Sequence, residues 1–409
     1  MRTFRKTIAF SALAVLAALN CQREFSTSPD RVSVRPFTPV EKRMLETGNT
    51  FGFALFGEVS RREDAKNVFL SPLSVSMALG MTLNGAAGET ETAMRRTLGF
   101  GGMSREDINA SYRGILDLLP ILDPKTRVEI ANSIWIRLGF SVLPAFTDVN
   151  RRFFDASVRN LDFNSPDAPS VINGWIEDRT RGKITKMIDR IDPFTVMFLI
   201  NAVTFKGAWL YEFDPKMTMD DSFTKSDGSL APCRMMKQKT TLPYFETDTF
   251  QAVDLPYGNG QFSMTVMLPK TGLPVQSLAA DLSSSNWSSW KERFSSRELT
   301  LHLPRFKVEY EIKLNDALAA LGMGVAFEPA QADFDGINAD YDLYISSVNH
   351  KAFVEVDEEG TEAAAVTVVE VGYTSVGDGI TVRIDRPFLF LIREKTSDAI
   401  LFMGKIEVI

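Results

Sequence analysis

Apolar residues recur at near-helical spacing over residues 44–59, where Leu45, Phe51, Leu55 and Phe56 share a side. Ser71-Pro72 predicts a second helix, with Ser71 as N-cap and Pro72 in the first turn, where a missing N–H costs nothing. Its run Val75, Met77, Ala78, Leu79, Met81 and Leu83 is apolar nearly all round, which predicts burial on every face until Gly85 ends it. Residues 89–98 restart a helix that Gly99 closes. Later the pattern changes. Residues 128–136, 198–205, 262–268, 299–303 and 352–356 are rich in β-branched and aromatic side chains and predict strands. Residues 385–392 and 399–407 add two more apolar strands. Helices early and strands late predict an α+β fold rather than an alternating doubly wound one.

The first residues carry a different pattern. Arg2, Arg5 and Lys6 form a basic start, followed by an apolar stretch over 8–19 that is too short to span a bilayer. Ala18-Leu19-Asn20-Cys21 then resembles a bacterial lipoprotein cleavage box, although a residue smaller than Asn20 usually precedes the cysteine. The expectation is an exported chain: a signal peptide over 1–20, lipidation at Cys21 as the only membrane contact, and a place on the outer surface, in the periplasm or outside the cell. Residues 21–39 are polar, aperiodic and rich in Ser, Thr, Pro and Arg, and read as a flexible tether. No linker, repeat or low-complexity tract interrupts residues 40–409, which are read as one domain. With Cys21 lipidated or removed, Cys233 is left without a partner and is expected to be a buried structural thiol.

Composition narrows the function. A chain of 409 residues with 44% hydrophobic and 24% charged residues can bury a large core. A net charge of −7 lacks the basic footprint of a nucleic-acid binder. Two cysteines and two histidines leave little for a zinc site or a disulfide framework. The phosphate-binding, dinucleotide-binding, nucleophile-elbow and His-Glu-x-x-His patterns are all absent. A Ser-His-Asp hydrolase would have to recruit His302 or His350, and both read better as structural histidines. The acidic runs Asp220-Asp221 and Asp357-Glu358-Glu359 read as solvated faces rather than cation sites. No catalytic residue, metal ligand or cofactor is expected, and the chain is not read as an enzyme.

One segment resists an ordinary reading. Residues 360–371 run Gly-Thr-Glu-Ala-Ala-Ala-Val-Thr-Val-Val-Glu-Val. By strand alternation, one face presents Thr361, Ala363, Ala365, Thr367, Val369 and Val371, small or β-branched and uncharged. The other presents Glu362, Ala364, Val366, Val368 and Glu370. Residues 372–379 continue at once as a turn-rich stretch. A strand leading into a loop fits, and so does a loop written so that it can become a strand.

A resemblance bears on that choice. Glu358-Glu359-Gly360-Thr361-Glu362-Ala363-Ala364 resembles the reactive-loop hinge of the serpins, and nearly the whole body shares the likeness. Residues 67–74, Asn-Val-Phe-Leu-Ser-Pro-Leu-Ser, are similar to the start of that family's buried second helix. Residues 201–209, Asn-Ala-Val-Thr-Phe-Lys-Gly-Ala-Trp, are similar to its central-sheet strand, and residues 384–390, Ile-Asp-Arg-Pro-Phe-Leu-Phe, to its C-terminal signature. The resemblance, taken as that of a bacterial member, implies about nine helices, three β-sheets and an exposed reactive centre loop over about 358–382.

It also implies a function. Serpins are suicide-substrate inhibitors of serine proteases, and sometimes of cysteine proteases, which they trap as acyl-enzymes by inserting the cleaved loop into the central sheet. The hinge would be Gly360, Thr361, Glu362, Ala363, Ala364 and Ala365. Glu358, Arg305 and Trp209 match the breach where the loop enters, and Ser71, Asn201 and His350 match the polar shutter beneath the opening strands. Counting from the hinge puts the scissile bond at Thr374-Ser375; counting back from Pro387-Phe388 points nearer Val376, and Tyr373-Thr374 is a third choice. No Lys or Arg lies between Gly360 and Val382, so elastase-, subtilisin- or chymotrypsin-like targets are expected rather than trypsin-like ones. Residues 105–119 carry only Arg105 and Arg113, so no glycosaminoglycan site is expected. The implied protein is a monomer whose partner is its target protease; the alternative is a non-inhibitory binding protein on the same fold.

Overall fold

The computed structural model describes residues 35–361 and 379–409. The chain runs through α1 (Pro39–Arg62), β1 (Val68–Leu70), α2 (Pro72–Leu83), α3 (Gly88–Leu98), α4 (Arg105–Leu118), β2 (Thr126–Arg137), α5 (Pro144–Phe154), β3 (Ser157–Leu161), α6 (Ala168–Arg179) and β4 (Met197–Ala208). Strands then dominate: β5 (Met219–Thr224), β6 (Leu230–Glu246), β7 (Phe250–Tyr257) and β8 (Phe262–Pro269). Two short helices follow, α7 (Val275–Asp281) and α8 (Ser284–Lys291), then β9 (Ser295–Pro304), β10 (Phe306–Lys313) and α9 (Asn315–Leu318). The described chain ends with β11 (Asn349–Val356), β12 (Gly360–Thr361), β13 (Ile380–Arg383), β14 (Phe388–Glu394) and β15 (Ile400–Ile406). The α+β architecture and the nine α-helices agree with the expectation for the described residues.

The strands form two hydrogen-bonded networks. Six make one sheet in the order β10-β11-β12-β4-β2-β3, and nine make the other in the order β1-β15-β14-β8-β7-β6-β9-β13, with β5 on β6. Among the described residues the expected sheets are joined into two networks because β6 is 17 residues long. It pairs with β5 over 230–235, with β9 over 235–244 and with β7 over 244–246, joining two strand groups into one ladder.

Local chemistry explains several boundaries. α1 begins at Pro39, five residues before the predicted start, because Thr38 and Glu41 close a reciprocal capping box. Arg35 pairs with Glu41 at 2.6 Å and Phe37 is buried, so residues 35–39 belong to the folded body rather than to the expected tether. In α2 the Ser71 hydroxyl accepts from Ser74 N at 3.3 Å and almost every residue is buried, as the all-round apolar pattern predicts. Gly99 ends α3 at φ 75°, a left-handed conformation that a side chain would strain. β14 starts at Phe388, later than the predicted 385, because Pro387 has no N–H and Asp385 is held by Arg383 and Arg386.

α2 lies in the main core with the β14–β15 and β7–β8 strands. A second cluster, Trp135, Ile172, Trp175, Ile176 and Ile200, packs α6 against the opposite face of the six-stranded sheet. That sheet is thus covered on both faces around β2 and β4.

Candidate functional site

The site lies where the chain re-enters the six-stranded sheet. β11 ends at Val356, the backbone turns, and β12 pairs antiparallel with β11 through Val356–Thr361 and with β4 through Gly360–Ala208 and Thr361–Gly207. The turn is built by Asp357, whose Oδ1 accepts from the backbone N–H of Glu359 at 3.0 Å and of Gly360 at 3.2 Å. Residue 360 has to be glycine: a Cβ there would run into the Gly207 carbonyl oxygen and come within 2.8 Å of Ala208 Cα. Its role is close approach to β4, in addition to the conformational freedom expected of a hinge. Thr361 is buried, and its hydroxyl lies 2.6 Å from that of Tyr257. Burial pushes the Tyr257 phenol well above its ordinary pKa, so it stays neutral and able to donate.

The breach residues converge around this turn. Glu358 is buried, and its Oε1 accepts from Arg305 Nε at 2.9 Å and Nη2 at 2.7 Å, and from the Thr218 hydroxyl. Burial pushes the Glu358 pKa up, but the Arg305 and Thr218 hydrogen bonds outweigh it and hold the group below its ordinary value. Trp209 clamps the turn twice, donating from Nε1 to Asp357 O at 2.9 Å and from its backbone N to Glu359 O at 2.8 Å. Its ring stacks on Tyr257 with centroids 4.4 Å apart. The run 357–359 is therefore a structural turn with a buried carboxylate, not the solvated face expected from its charge.

The shutter residues divide into two contacts. His350 Nε2 accepts from Ser71 N at 3.2 Å, which ties β11 to the start of α2 and places the ring proton on Nδ1. Burial lowers the His350 pKa to about 4, so the ring is neutral. Asn201 turns elsewhere: its Nδ2 donates to Asn132 Oδ1 at 2.6 Å and approaches Met77 Sδ at 3.3 Å, linking β4 to β2 and α2. The backbone joins the two contacts, since Ser74 Oγ reaches Asn201 O at 3.5 Å. Asn201 and His350 also border a cavity of about 130 Å³ between the lower halves of β4 and β11, with Ser74, Leu199 and Ile345. Asn201 Oδ1 is buried and has no hydrogen-bond partner among the described residues.

Cys21, the hinge residues Glu362, Ala363, Ala364 and Ala365, and the scissile candidates Tyr373, Thr374, Ser375 and Val376 lie outside the described residues. Cys233 is free but only half-buried, because it sits on β6 opposite Asp221; burial, then Asp221, raises its pKa. His302 is half-buried on β9 with Nδ1 3.4 Å from Arg383 Nη1; burial, then Arg383, lowers its pKa. Asp220 and Asp221 pair with Arg234 and Arg383. Arg105 and Arg113 on α4 are held by Glu91 and Asp117. Sequence reasoning missed Tyr257, Thr218 and Asn132. Only Asn132 carried a signal, a polar side chain inside the apolar strand Ile130-Ala131-Asn132-Ser133-Ile134.

The two-residue strand β12 thus enters the sheet between β11 and β4, and His350 on β11 holds the start of α2. Comparison with protein-family models matches residues 46–408 to Serpin (serine protease inhibitor). Among curated relatives, Iripin-3 of Ixodes ricinus is 35% identical over 351 residues, covering 84% of this chain and 89% of its own. Leukocyte elastase inhibitor of Xenopus tropicalis is 33% identical, covering 87% and 96%. The native structure of the thermophilic serpin tengpin superposes with a TM-score of 0.84 at 31% identity, covering 93% of this chain and 97% of that one. The chain belongs to the serpin family.

Proposed function

We propose that this chain is a suicide-substrate inhibitor of serine endopeptidases. The observation that carries the reading is Thr361, paired between β11 and β4 with its side chain on the buried face. Were the strand continued from there, alternation would put Ala363, Ala365, Thr367, Val369 and Val371 on the buried side and both Glu362 and Glu370 on the other. Inserted in the same register, Thr367 would lie level with Asn201, whose buried amide oxygen could accept its hydroxyl. An unpaired charge on the inward face would cost several kcal/mol; this face has none.

In the proposed cycle the protease serine Oγ attacks the Thr374 carbonyl carbon. The Oγ–C bond forms, the C–N bond to Ser375 breaks, and the serine proton passes through the protease histidine to the departing amine. The freed segment then extends β12 along β4 and β11 and draws the acylated enzyme with it, distorting it before water completes deacylation. Hydrogen bonds of about 0.5–1.5 kcal/mol each nearly cancel an ordering cost of about 1–2 kcal/mol per residue. Burial of the Ala and Val face at about 25 cal/mol per Å² decides the sign. The intact form is then kinetically trapped. Tyr373 suits a chymotrypsin-like pocket, and Thr374 or Val376 an elastase- or subtilisin-like one.

The basic, apolar start and Cys21 support an exported protein, lipid-anchored or secreted, from a bacterial source, acting as a monomer that protects its cell from proteases. The test is incubation with elastase, chymotrypsin and subtilisin followed by denaturing electrophoresis. An SDS-stable covalent band with each inhibited enzyme is the expected result; cleaved loop alone would identify a serpin-fold binding protein instead.

A further inference from the structure

The backbone holds β13 weakly. It stands last in the order of the nine-stranded sheet and, among the described strands, pairs with β9 alone, through four residues from Ile380–Leu299 to Arg383–His302. The pairing is parallel, which is slightly less stable per residue than an antiparallel ladder. Only Val382 of the four has a buried side chain. Just beyond, Ile384 N donates to His302 O at 2.9 Å and Thr224 N to Asp385 O at 2.8 Å.

Side chains supply the rest of the hold, with Arg383 at their centre. Its Nη2 donates to Asp221 on β5, its Nε to Asp385 Oδ2 at 3.1 Å, and its Nη1 faces His302 Nδ1 on β9 at 3.4 Å. Asp385 is held in turn by Arg386 Nη1 at 2.9 Å, and Arg386 Nη2 reaches Pro269 O at 2.8 Å. The contact with β9 requires a neutral His302 whose Nδ1 accepts. A proton on Nδ1 removes the acceptor and sets two cations against each other at the strand's last residue.

The charges facing His302 are Arg383 from β13, Lys237 from β6, Asp221 from β5 and Asp385 from the turn after β13. The Cys233 thiol on β6 lies opposite Asp221. Burial first, then Arg383 and Lys237, hold the His302 pKa below its ordinary 6.5 against the pull of the two carboxylates. Asp221 is itself held below the ordinary 3.8, chiefly by the Ser222 N–H, so it keeps its charge in mild acid. The released strand therefore takes up a proton more readily than the docked one. Docking is complete above about pH 6.5 and weakens as pH falls below it.

We propose that His302 and Arg383 form an acid-released anchor of β13, which makes this protein a pH-regulated inhibitor, fully active at neutral pH and reversibly weakened in mild acid. This rests on the inhibitory reading, in which β13 carries the chain back into the body after the reactive segment. With β13 set loose, that segment would be held at β12 alone, and a substrate held at one end meets a protease in fewer productive orientations.

His302→Gln keeps a neutral acceptor at every pH. Rates of covalent complex formation with subtilisin are compared for the unaltered protein and this variant at about pH 7.5 and about pH 5, where the ratio at each pH cancels the protease's own pH dependence. Equal rates are expected near pH 7.5, and a variant about tenfold faster near pH 5. Native-state hydrogen exchange of the unaltered protein needs no protease. After correction for intrinsic exchange, protection of the amides over 380–384 is expected to fall about tenfold in acid and to return on neutralisation. A rate ratio that is the same at both pH values would overturn the proposal. So would protection over 380–384 that acid leaves unchanged, or that neutralisation does not restore. No covalent complex at neutral pH would overturn the inhibitory reading and the regulation with it, and the exchange arm tells that failure from a failure of the anchor itself.

Discussion

The hydroxyl of Thr361 lies 2.6 Å from that of Tyr257, and both side chains are buried beneath the entry to the six-stranded sheet. In the proposed insertion this contact would fix the face that the following segment turns inward, and so would decide which of its residues must be uncharged. Thr361→Arg forces a guanidinium towards Tyr257 and Trp209, at a cost of several kcal/mol that no partner there offsets. The variant is expected to be cleaved by the target protease at the ordinary rate while covalent complex falls at least about tenfold. The ratio of cleaved to complexed protein on a denaturing gel measures this, and an undiminished complex would contradict the insertion geometry.

Arg305 and Glu358 set the stability of the entry. Glu358 is buried but Arg305 is 44% exposed, so solvent screens part of the pair. Arg305→Met leaves the carboxylate buried with Thr218 as its side-chain partner. The expected loss is at the lower end of about 1–3 kcal/mol, read as a lower denaturant midpoint with unchanged slope. A shift that Glu358→Gln in the same background fails to relieve would point to another cause.

His350 makes the shutter sensitive to acid. Burial lowers its pKa to about 4 from the ordinary 6.5, so the folded protein keeps it neutral where the unfolded chain takes up a proton. Its contribution is complete above about pH 6.5 and is lost as pH falls towards 4, a decline of up to about 3 kcal/mol. His350→Asn is expected to flatten the dependence of unfolding free energy on pH across that window. An identical slope in the variant would assign the acid sensitivity to other groups.

How far these features could be read in advance depended on the range of the interaction. α2 was legible because Ser71, Pro72 and an all-round apolar run act within one helix. Gly99 was legible because a left-handed helix end selects glycine locally. The first turn of α1 was also written locally, in Thr38, Pro39 and Glu41, but the apolar periodicity begins later and gives no hint of it. β6 was not visible: Pro232, Pro243 and the polar run Lys237-Gln238-Lys239 break its alternation, and its neighbours hold it in place. At the site, Glu358, Arg305 and Trp209 were found only through the family resemblance. Thr218 is 140 residues from Glu358 and Tyr257 is 104 from Thr361, and no local pattern encodes contacts at that distance. The division of the shutter into a Ser71–His350 contact and an Asn201–Asn132 contact likewise depends on which way an amide turns.

The central claim is that the segment beginning at Gly360 is more stable as a strand of the sheet than as a loop. Its most direct test is the melting temperature before and after a single cut between Tyr373 and Val376. Burial of the Ala, Thr and Val face, about 5 kcal/mol in all, predicts a rise on the order of 10 °C in the nicked protein. A melting temperature that does not change on cutting would contradict it.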